Sequence, residues 1–345
     1  MMGLSSGARP ELSPGARPEL SHGARPELRA AALTGLGAHR PERREDNLAI
    51  AERLNSSDTW IRERSGIVTR GVAGPDESVV DMAVGAGGKA LADAGVDPAD
   101  VGLVLLATCS MPGPLPGGAP AVAAALGARR AGASDIGAAC AGFTYGLAFA
   151  ADAVRAGTVD TVLVIGSERL MPYIDPDDRG TAFLFGDGAG AAVVQVQSDG
   201  PDGIGPVVWL HDGDNAQMLD ITGAPGEPQY LHMDGRGIYR WATQSLPGIA
   251  REACARAGVE LNDLAAFVPH QANLRITQSV VKSLQLPDSV VIARDVVDSG
   301  NTSAASVPLA LARLAEQGEI ATGDPVLLIG FGAGLTAAGQ VVLAP

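Results

Sequence analysis

Cys140 is the residue of this chain best suited to act as a nucleophile. It lies in the segment Ala-Ala-Cys-Ala-Gly, where an apolar run gives way to a predicted helix. Backbone N–H groups at a helix N-terminus stabilise a thiolate and lower the pKa of a thiol from its free value of about 8.5. A buried structural cysteine is the alternative. We favour that alternative for Cys109 and Cys254, which lie in apolar contexts without a matched partner.

His270 and Asn301 carry polar groups that could assist a nucleophile. His270 ends an apolar run in Phe-Val-Pro-His-Gln-Ala-Asn, and its imidazole can act as an acid, a base or a donor to an oxyanion. Asn301, in Gly-Asn-Thr-Ser-Ala-Ala-Ser, offers an amide donor. A buried structural histidine and a helix N-cap, for which Asn is favoured, are the alternatives. Neither residue decides the question by itself.

Two stretches of the chain resemble each other, and each contains one of these residues. Residues 135–157 match residues 295–318, and aligning the two closing glycines places Cys140 on Asn301, 161 positions later. Two further pairs match at offsets of 163 and 164: residues 94–106 with 257–269, and 162–166 with 326–330. We therefore predict two duplicated α/β halves, with Cys140 and Asn301 facing each other across a pseudo-twofold axis.

Alternating strands and helices provide the frame for these residues. The predicted strands are Leu103–Ala107, Thr161–Ile165, Ala191–Val196, Ala265–Val268, Val290–Ala293, Val326–Ile329 and Gln340–Leu343. The predicted helices are Val79–Ala94, Ala141–Ala156, Gln244–Ala257, Leu274–Leu284 and Ala304–Gln317. The alternation favours mostly parallel sheets covered by helices. The alanine-rich helices after Cys140 and Asn301 should be buried as the central layer of a five-layer α-β-α-β-α sandwich.

The beginning of the chain differs from the rest. Gly-Ala-Arg-Pro-Glu-Leu occurs three times, starting at Gly7, Gly15 and Gly23, and such a segment cannot bury a core. We predict a disordered tail over residues 1–30, which could also be a non-native extension. The two halves then span residues 31–200, with the nucleophile, and 201–345, with the histidine and asparagine.

Composition restricts the classes of function. The chain has 345 residues, 46% of them apolar, and a net charge of −14, which argues against coating nucleic acid or an anionic membrane. Three cysteines form neither a disulfide framework nor a metal-binding pattern, which favours the reducing cytoplasm and predicts no metal site. The sequence contains no apolar run of membrane-spanning length and no signal peptide.

Two glycine-rich loops could suggest nucleotide binding. The loop Phe185–Gly190 does not match the dinucleotide fingerprint and precedes a strand instead of a helix. The loop Gly330–Gly334 follows a strand, but no acidic residue about 20 positions later could hold a ribose. We therefore predict closely packed backbone at both loops, with one of them offering an N–H to an oxyanion.

The combined motifs resemble those of β-ketoacyl-acyl-carrier-protein synthase III, of the thiolase superfamily. The resemblance covers about residues 31–345. The segments that carry it are Ser57–Arg62, Ala138–Thr144, Phe185–Ala191, Val268–Arg275 and Gly300–Ser306. It implies the duplicated five-layer thiolase-like sandwich, usually as a homodimer, and no cofactor, since coenzyme A enters as the thioester substrate. It also implies the condensation of an acyl-CoA primer with malonyl-acyl carrier protein, giving 3-oxoacyl-carrier protein, CO2 and CoA.

The resemblance assigns roles to the candidate residues. Cys140 resembles the nucleophile that takes the acyl group, a covalent intermediate that divides the reaction into easier steps. His270 and Asn301 resemble the pair that polarises the malonyl thioester and promotes loss of CO2. The backbone N–H groups of Cys140 and Ala333 match the oxyanion hole, and Phe331 matches the phenylalanine beside the decarboxylation site.

Other residues resemble those that bind the two substrates. Trp60 and Arg179 resemble the pair that sandwiches the adenine of coenzyme A, with Arg64 and Asn273 nearby on the same tunnel. Because the carrier protein is acidic, like this chain, docking requires a local basic patch. The candidates are Arg240, Arg275 and Lys282; the last two lie seven positions apart on one face of a predicted helix. A solvated helix face is the alternative for this basic group.

Three departures from the family pattern bear on specificity. Leu115 occupies the position of a phenylalanine that closes the acyl pocket across the dimer in acetyl-selective members, which predicts a longer or branched primer. Ala333 replaces a usual glycine but keeps its backbone N–H. The segment Asp234-Gly-Arg-Gly237 differs from the common Ala-Gly-Asn form, which weakens the inference of coenzyme contacts there.

Alternative functions differ in how much of the site they need. An acyltransferase that moves an acyl group without condensation has less need for Asn301. A non-catalytic partner that positions a carrier protein would not need Cys140. The intact set favours condensation, which starts either fatty-acid or aromatic polyketide synthesis.

Overall fold

The computed structural model describes residues 28–198, 200–223 and 228–345, so the three Gly-Ala-Arg-Pro-Glu-Leu repeats lie outside the described residues apart from the final leucine. Its elements up to residue 200 are β1 (Ala30–His39), β2 (Arg44–Asp46), α1 (Asn47–Arg53), α2 (Asp58–Ser65), β3 (Thr69–Gly71), α3 (Val79–Asp93), β4 (Leu103–Ala107), α4 (Ala119–Leu126), β5 (Gly132–Ile136), α5 (Gly142–Arg155), β6 (Thr161–Glu168) and β7 (Gly188–Gln197). The remaining elements are β8 (Val208–His211), β9 (Leu219–Thr222), β10 (Tyr230–Met233), α6 (Gly235–Ala257), β11 (Ala266–Pro269), α7 (Leu274–Leu284), β12 (Val291–Ile292), α8 (Val296–Ser299), α9 (Ser306–Glu316), β13 (Pro325–Gly332) and β14 (Thr336–Leu343).

Two five-stranded sheets share one topology. Their strand orders are β1-β7-β6-β4-β5 and β8-β14-β13-β11-β12. In each sheet the first three strands pair antiparallel and the last three pair parallel. The predicted duplicated sandwich is confirmed, but the prediction of mostly parallel sheets is wrong. Only three residues connect β13 to β14, and a parallel crossover needs a dozen or more.

Helices α5 and α9 form the central layer between the two sheets. Helix α5 contacts strands of both sheets, including β6 and β13, and α9 contacts β7 and β11. Helices α3 and α4 cover the first sheet on its outer face, and α6 and α7 cover the second. Small residues allow the sheets and the central helices to pack closely. A Cβ on Gly190 of β7, for example, would lie 2.7 Å from the backbone nitrogen of Leu309 on α9. The five-layer prediction is therefore confirmed.

The turns before α5 and α9 correct the predicted alignment of the halves. Ala139 and Ser303 both have positive φ angles, 44° and 47°, and each opens a short 3-10 turn that runs into the helix. These equivalent residues are 164 positions apart, so Cys140 corresponds to Ala304. The prediction that pairs Cys140 with Asn301 is wrong, because α9 has 11 residues and α5 has 14. Aligning the glycines behind the helices shifted the register by three.

The folded part begins slightly before the predicted residue 31. Strand β1 starts at Ala30, and the guanidinium of Arg29 donates to the carbonyl oxygens of Val154 and Val159. Arg29 also pairs with Asp160 at 2.5 Å. Within the described ranges, no helix combines the length and apolar composition that crossing a bilayer requires.

We expect Gly190→Ala to reduce the free energy of unfolding by about 1–3 kcal/mol, since overpacking forces backbone shifts. The added methyl would meet the backbone of α9 at Pro308 and Leu309. Urea denaturation measures this change. Gly248→Ala is the control, because nothing lies within 4 Å of its added Cβ and alanine favours a helix. Equal stability of the Gly190 variant and the unmodified chain would contradict the proposed close packing of the central layer.

Candidate active site

An apolar cavity of about 260 Å³ brings together residues that lie far apart in the chain. Cys140 comes from the turn before α5, His270 from the end of β11 and Asn301 from the segment before α9. Phe331 and Ala333, at the end of β13, line the same cavity. The first half thus contributes the thiol, and the second half contributes the imidazole and the amide.

Burial dominates the chemistry of Cys140. The residue is 7% exposed, and burial raises the pKa of its thiol to about 12. The Ser303 hydroxyl acts in the opposite direction, and the Glu168 carboxylate raises this pKa further. The expectation of a lowered pKa is therefore wrong for the free thiol. The helix N-terminus cannot compensate for the loss of water around a thiolate in this enclosed cavity.

Gly332 allows β13 to approach the thiol. A Cβ at this position would lie 2.7 Å from the Cβ of Cys140 and 3.0 Å from its Sγ. Such distances are too short for any side chain, so glycine is required by the contact. The close approach places the Phe331–Ala333 backbone directly beside the thiol.

His270 is held as a neutral ring. Its Nδ1 lies 2.6 Å from the Ser306 hydroxyl, and its ring packs edge-to-face on Phe331 with centroids 5.0 Å apart. Burial lowers the pKa of His270 to about 3. With Nδ1 engaged, Nε2 is the ring atom that remains for the cavity.

The amide of Asn301 is oriented by its own turn. Its Oδ1 accepts a hydrogen bond from the backbone N–H of Ser303 at 2.9 Å, which leaves Nδ2 as a donor for the cavity. Its backbone N–H donates to Leu184, and its carbonyl accepts from Gly186. A Cβ on Gly186 would lie 2.3 Å from the Ser299 carbonyl oxygen. The Phe185–Gly190 loop therefore serves close packing, as predicted.

Glu168 is a buried acidic residue that the sequence interpretation missed. It ends β6 with no exposed surface and accepts hydrogen bonds from Ser110 and Ser303. Burial raises the pKa of Glu168, while these hydrogen bonds lower it. A carboxylate three residues after the apolar run Val162–Ile165 was the available signal, since a buried strand seldom ends in an acid without a partner.

A second, larger cavity forms the mouth of the site. It has a volume of about 870 Å³ and shares Met233, Ile238, Ala272 and Asn301 with the inner cavity. The guanidinium carbons of Arg64 and Arg179 lie 4.6 and 5.3 Å from the centroid of the Trp60 ring. The predicted coenzyme group therefore lies together at this mouth, joined by Arg236 and Arg275.

Asn273 also lines the mouth, but its amide is already engaged. Its Oδ1 accepts from the backbone N–H of Arg275 and caps α7, and its Nδ2 donates to the Arg64 carbonyl at 3.0 Å. The residue therefore ties α2 to α7. Asp234 similarly caps α6 by accepting from Arg236 and Gly237, which leaves the Arg236 side chain at the mouth.

The predicted docking residues lie on neighbouring helices. Arg240 on α6 and both Arg275 and Lys282 on α7 are exposed, and α6 packs against α7. The Arg275 guanidinium lies 5.8 Å from the centre of the Tyr239 ring, next to the mouth. Leu115 is different: it is 86% exposed and does not line the cavity of its own chain. In the described residues, no cluster of three or more His, Cys, Asp or Glu side chains could hold a metal ion.

We expect iodoacetamide to alkylate Cys140 slowly near pH 8 and progressively faster up to pH 11. With a pKa of about 12, roughly one thiol in ten thousand is ionised at pH 8. Peptide mass spectrometry resolves the modification of Cys140 from that of Cys109. The same chain in urea is the control, and its Cys140 should titrate near the free value of about 8.5. An alkylation rate of Cys140 that stops rising below pH 9 in the folded protein would contradict this prediction.

Known proteins with related sequences and structures match most of the chain. The family model for 3-oxoacyl-[acyl-carrier-protein (ACP)] synthase III matches residues 134–213, and its C-terminal model matches residues 254–343. Beta-ketoacyl-[acyl-carrier-protein] synthase III 4 of Streptomyces coelicolor is 50% identical over 91% of this chain and 98% of its own length. The corresponding synthase of Mycobacteroides abscessus is 45% identical over 91% and 94%.

Solved structures agree with this result. The priming β-ketosynthase of the R1128 polyketide pathway superimposes with a TM-score of 0.90 at 46% identity, covering 93% of this chain and 98% of that one. The 3-oxoacyl-(acyl carrier protein) synthase III of Pseudomonas aeruginosa gives a TM-score of 0.86 at 38% identity, covering 92% and 99%. From its motifs, fold and relatives, the chain belongs to the β-ketoacyl-acyl-carrier-protein synthase III family of acyl-transferring condensing enzymes.

Proposed function

We propose that this chain condenses an acyl-CoA primer with malonyl-acyl carrier protein, giving 3-oxoacyl-carrier protein, CO2 and CoA. One observation carries the proposal: Cys140, neutral His270 and the free amide donor of Asn301 line a single apolar cavity. That cavity opens into a mouth lined by four arginines (Arg64, Arg179, Arg236 and Arg275), although the chain as a whole has a net charge of −14. The arrangement suits thioesters carried on anionic groups.

Coenzyme A binds first at the mouth. The Trp60 ring offers an aromatic face beside two guanidinium groups, which suits an adenine ring and its phosphates. The pantetheine arm then passes Ile238 and Ala272, which line both cavities, and brings its thioester to Cys140. Asn273 positions this mouth by joining α2 to α7.

Acylation of Cys140 is the first chemical step. The thiol sulfur attacks the thioester carbonyl, and its proton leaves with the coenzyme A thiol, so charge is conserved overall. The backbone N–H groups of Cys140 and Ala333 stabilise the oxyanion that forms in between. Since burial raises the pKa of Cys140, deprotonation accompanies attack instead of preceding it.

Decarboxylation of the malonyl group is the second step. The malonyl thioester oxygen accepts hydrogen bonds from His270, with its proton on Nε2, and from the Asn301 amide. The C–C bond to the carboxylate breaks, CO2 leaves and the electron pair forms an enolate held by these donors. The apolar surroundings, including Phe331, favour loss of a charged carboxylate. The enolate carbon then attacks the acyl-Cys140 carbonyl and forms the new C–C bond. The C–S bond breaks, and the departing Cys140 thiolate takes one proton from solvent to regenerate the thiol. No step requires a cofactor.

A homodimer completes the acyl pocket in this proposal. Among the described residues, strand β5 pairs with β4 alone and its other edge has no partner strand. Exposed Leu115 lies in the loop that leads to α4. The carboxylate of Asp135 on β5 accepts from the backbone N–H groups of Gly118 and Ala119, which anchors this loop at the edge strand. A second copy paired at this edge would receive Leu115. A cytoplasmic location fits the three free cysteines.

Acyl transfer without condensation is the alternative outcome. The same Cys140 would take the acyl group, but another acceptor would remove it unextended. The orientation of the Asn301 amide favours condensation, since Oδ1 is engaged and Nδ2 is left as a donor for an oxyanion, which simple transfer does not need.

We expect Cys140→Ala to form no acyl adduct with any acyl-CoA. His270→Ala and Asn301→Ala should still form the adduct but release CO2 about 100-fold to 1,000-fold more slowly, the usual cost of losing an oxyanion donor. Intact-mass spectrometry measures acylation, and labelled malonyl-carrier protein measures CO2 release.

The matched control for these variants is Cys254→Ala, which removes a buried thiol that lines neither cavity. It should keep both activities. An adduct that forms on Cys140 and passes unextended to an acceptor would indicate acyl transfer, and absence of any adduct would contradict the proposal.

We expect Leu115→Phe to slow the acylation of Cys140 by isobutyryl-CoA at least about tenfold, because the larger phenylalanine side chain shortens the acyl pocket. The rate of acylation by acetyl-CoA should change little. Single-turnover experiments measure the ratio of the acylation rates with isobutyryl-CoA and acetyl-CoA in each protein. Leu48→Phe, at another exposed leucine, is the control. If the unmodified chain already strongly prefers acetyl-CoA, Leu115 does not admit longer primers.

A further inference from the structure

A carboxylate without exposed surface, that of Glu168, accepts a hydrogen bond from Ser303, two residues after Asn301. We infer that Glu168 is a positioning residue for the proposed condensation: it holds the turn that carries Asn301, and its charge adds to the effect of burial in disfavouring the Cys140 thiolate. This inference rests on the proposed function for the first effect, while the second effect can be measured on the protein alone.

Glu168 connects segments from both halves of the chain. All six of its close partners are hydrogen-bond donors. They are Ser303 Oγ (2.9 Å), Ala304 N (3.4 Å) and Cys109 Sγ (3.2 Å) on Oε1, with Ser110 Oγ (2.5 Å), Cys109 N (3.1 Å) and Thr108 Oγ1 (3.2 Å) on Oε2. The carboxylate therefore joins the loop after β4 to the turn before α9.

These donors suit an ionised carboxylate. Ser110 Oγ already accepts from the backbone N–H of Arg169 at 2.8 Å, so its own proton points to Glu168. The Arg169 guanidinium does not neutralise the charge, because it donates to the carbonyl oxygens of Gly74 and Pro75. Hydroxyl, thiol and amide dipoles hold the charge instead, as in other buried hydrogen-bonded carboxylates.

Comparison of the two halves across the pseudo-twofold axis indicates what the Glu168 side chain does at the end of β6. At the offset of 164, the equivalent of Glu168 at the end of β6 is Gly332 at the end of β13. Both strand ends meet the 3-10 turn of the opposite half. Gly332 leaves space for Cys140, whereas Glu168 fills the equivalent space and bonds Ser303 and Ala304. One half thus admits the nucleophile, and the other holds the amide donor in place.

The titratable groups that face Glu168 are Cys109, Cys140 and Tyr173. Burial is the main cause of the raised pKa of each of these three groups, and a negative charge on Glu168 raises each pKa further. Because Ser303 also orients the Asn301 side chain through its backbone N–H, movement of Glu168 would displace the amide donor. Charge and position are therefore two separable effects of one side chain.

Two substitutions separate these effects. Glu168→Gln keeps the shape and removes the charge, so we expect the pH profile of Cys140 alkylation to move down by about one unit, or about tenfold faster alkylation at pH 8. Glu168→Asp keeps the charge, but its side chain is one methylene shorter, so the carboxylate lies farther from Ser303 and Ala304 in the turn before α9. Its alkylation profile should match the unmodified protein within about threefold, while condensation falls at least about tenfold.

The control is Asp295→Asn, which removes an equally buried carboxylate that is paired with Arg40 and Arg313. It should leave the Cys140 profile unchanged, and circular dichroism verifies the fold of each variant. An unchanged profile in folded Glu168→Gln would overturn the electrostatic effect. If Glu168→Gln does not fold, Glu168→Asp decides: full condensation activity would overturn the positioning effect. Alkylation needs no acyl substrate, so it remains informative even if the chain does not condense.

Discussion

Close backbone contact between the two halves at the pseudo-twofold axis brings the candidate catalytic residues together. A Cβ on Gly166 would lie 2.2 Å from the Ala304 carbonyl oxygen, and one on Gly330 would lie 2.9 Å from the Cα of Ala141. These glycines allow the ends of β6 and β13 to touch the turn of the opposite half. The thiol, imidazole and amide consequently meet in one cavity, although they come from different elements.

The same contact removes water, and the loss of water sets the charge state of the site. The Cys140 thiol and the His270 ring are held neutral because burial disfavours their charged forms. A neutral resting site does not conflict with the reaction, since charge develops only on the substrate oxygen and is met there by fixed donors. Glu168 differs from these two groups, because hydrogen-bond donors contact both oxygens of its buried carboxylate, while burial raises its pKa.

A second contrast separates the interior from the entrance. The inner cavity is lined mostly by apolar side chains, whereas the mouth collects arginines on a chain whose net charge is −14. Such a local basic region attracts anionic carriers, while the acidic remainder of the surface repels them elsewhere. The arginine-lined mouth adjoins the inner cavity that holds the thiol.

Local patterns in the sequence determined the architecture and the identity of the chemical groups. Helix α7 and strand β4 have the predicted bounds, because helical and strand periodicity depends on neighbours within a few residues. The candidate residues could be named for the same reason, since short motifs carry them. The alignment of Cys140 with Asn301 failed because α9 is three residues shorter than α5, a difference that only the backbone structure shows. The raised pKa of Cys140, the engaged amide of Asn273 and the place of Glu168 depend on burial and on contacts between distant segments, which only the tertiary structure decides.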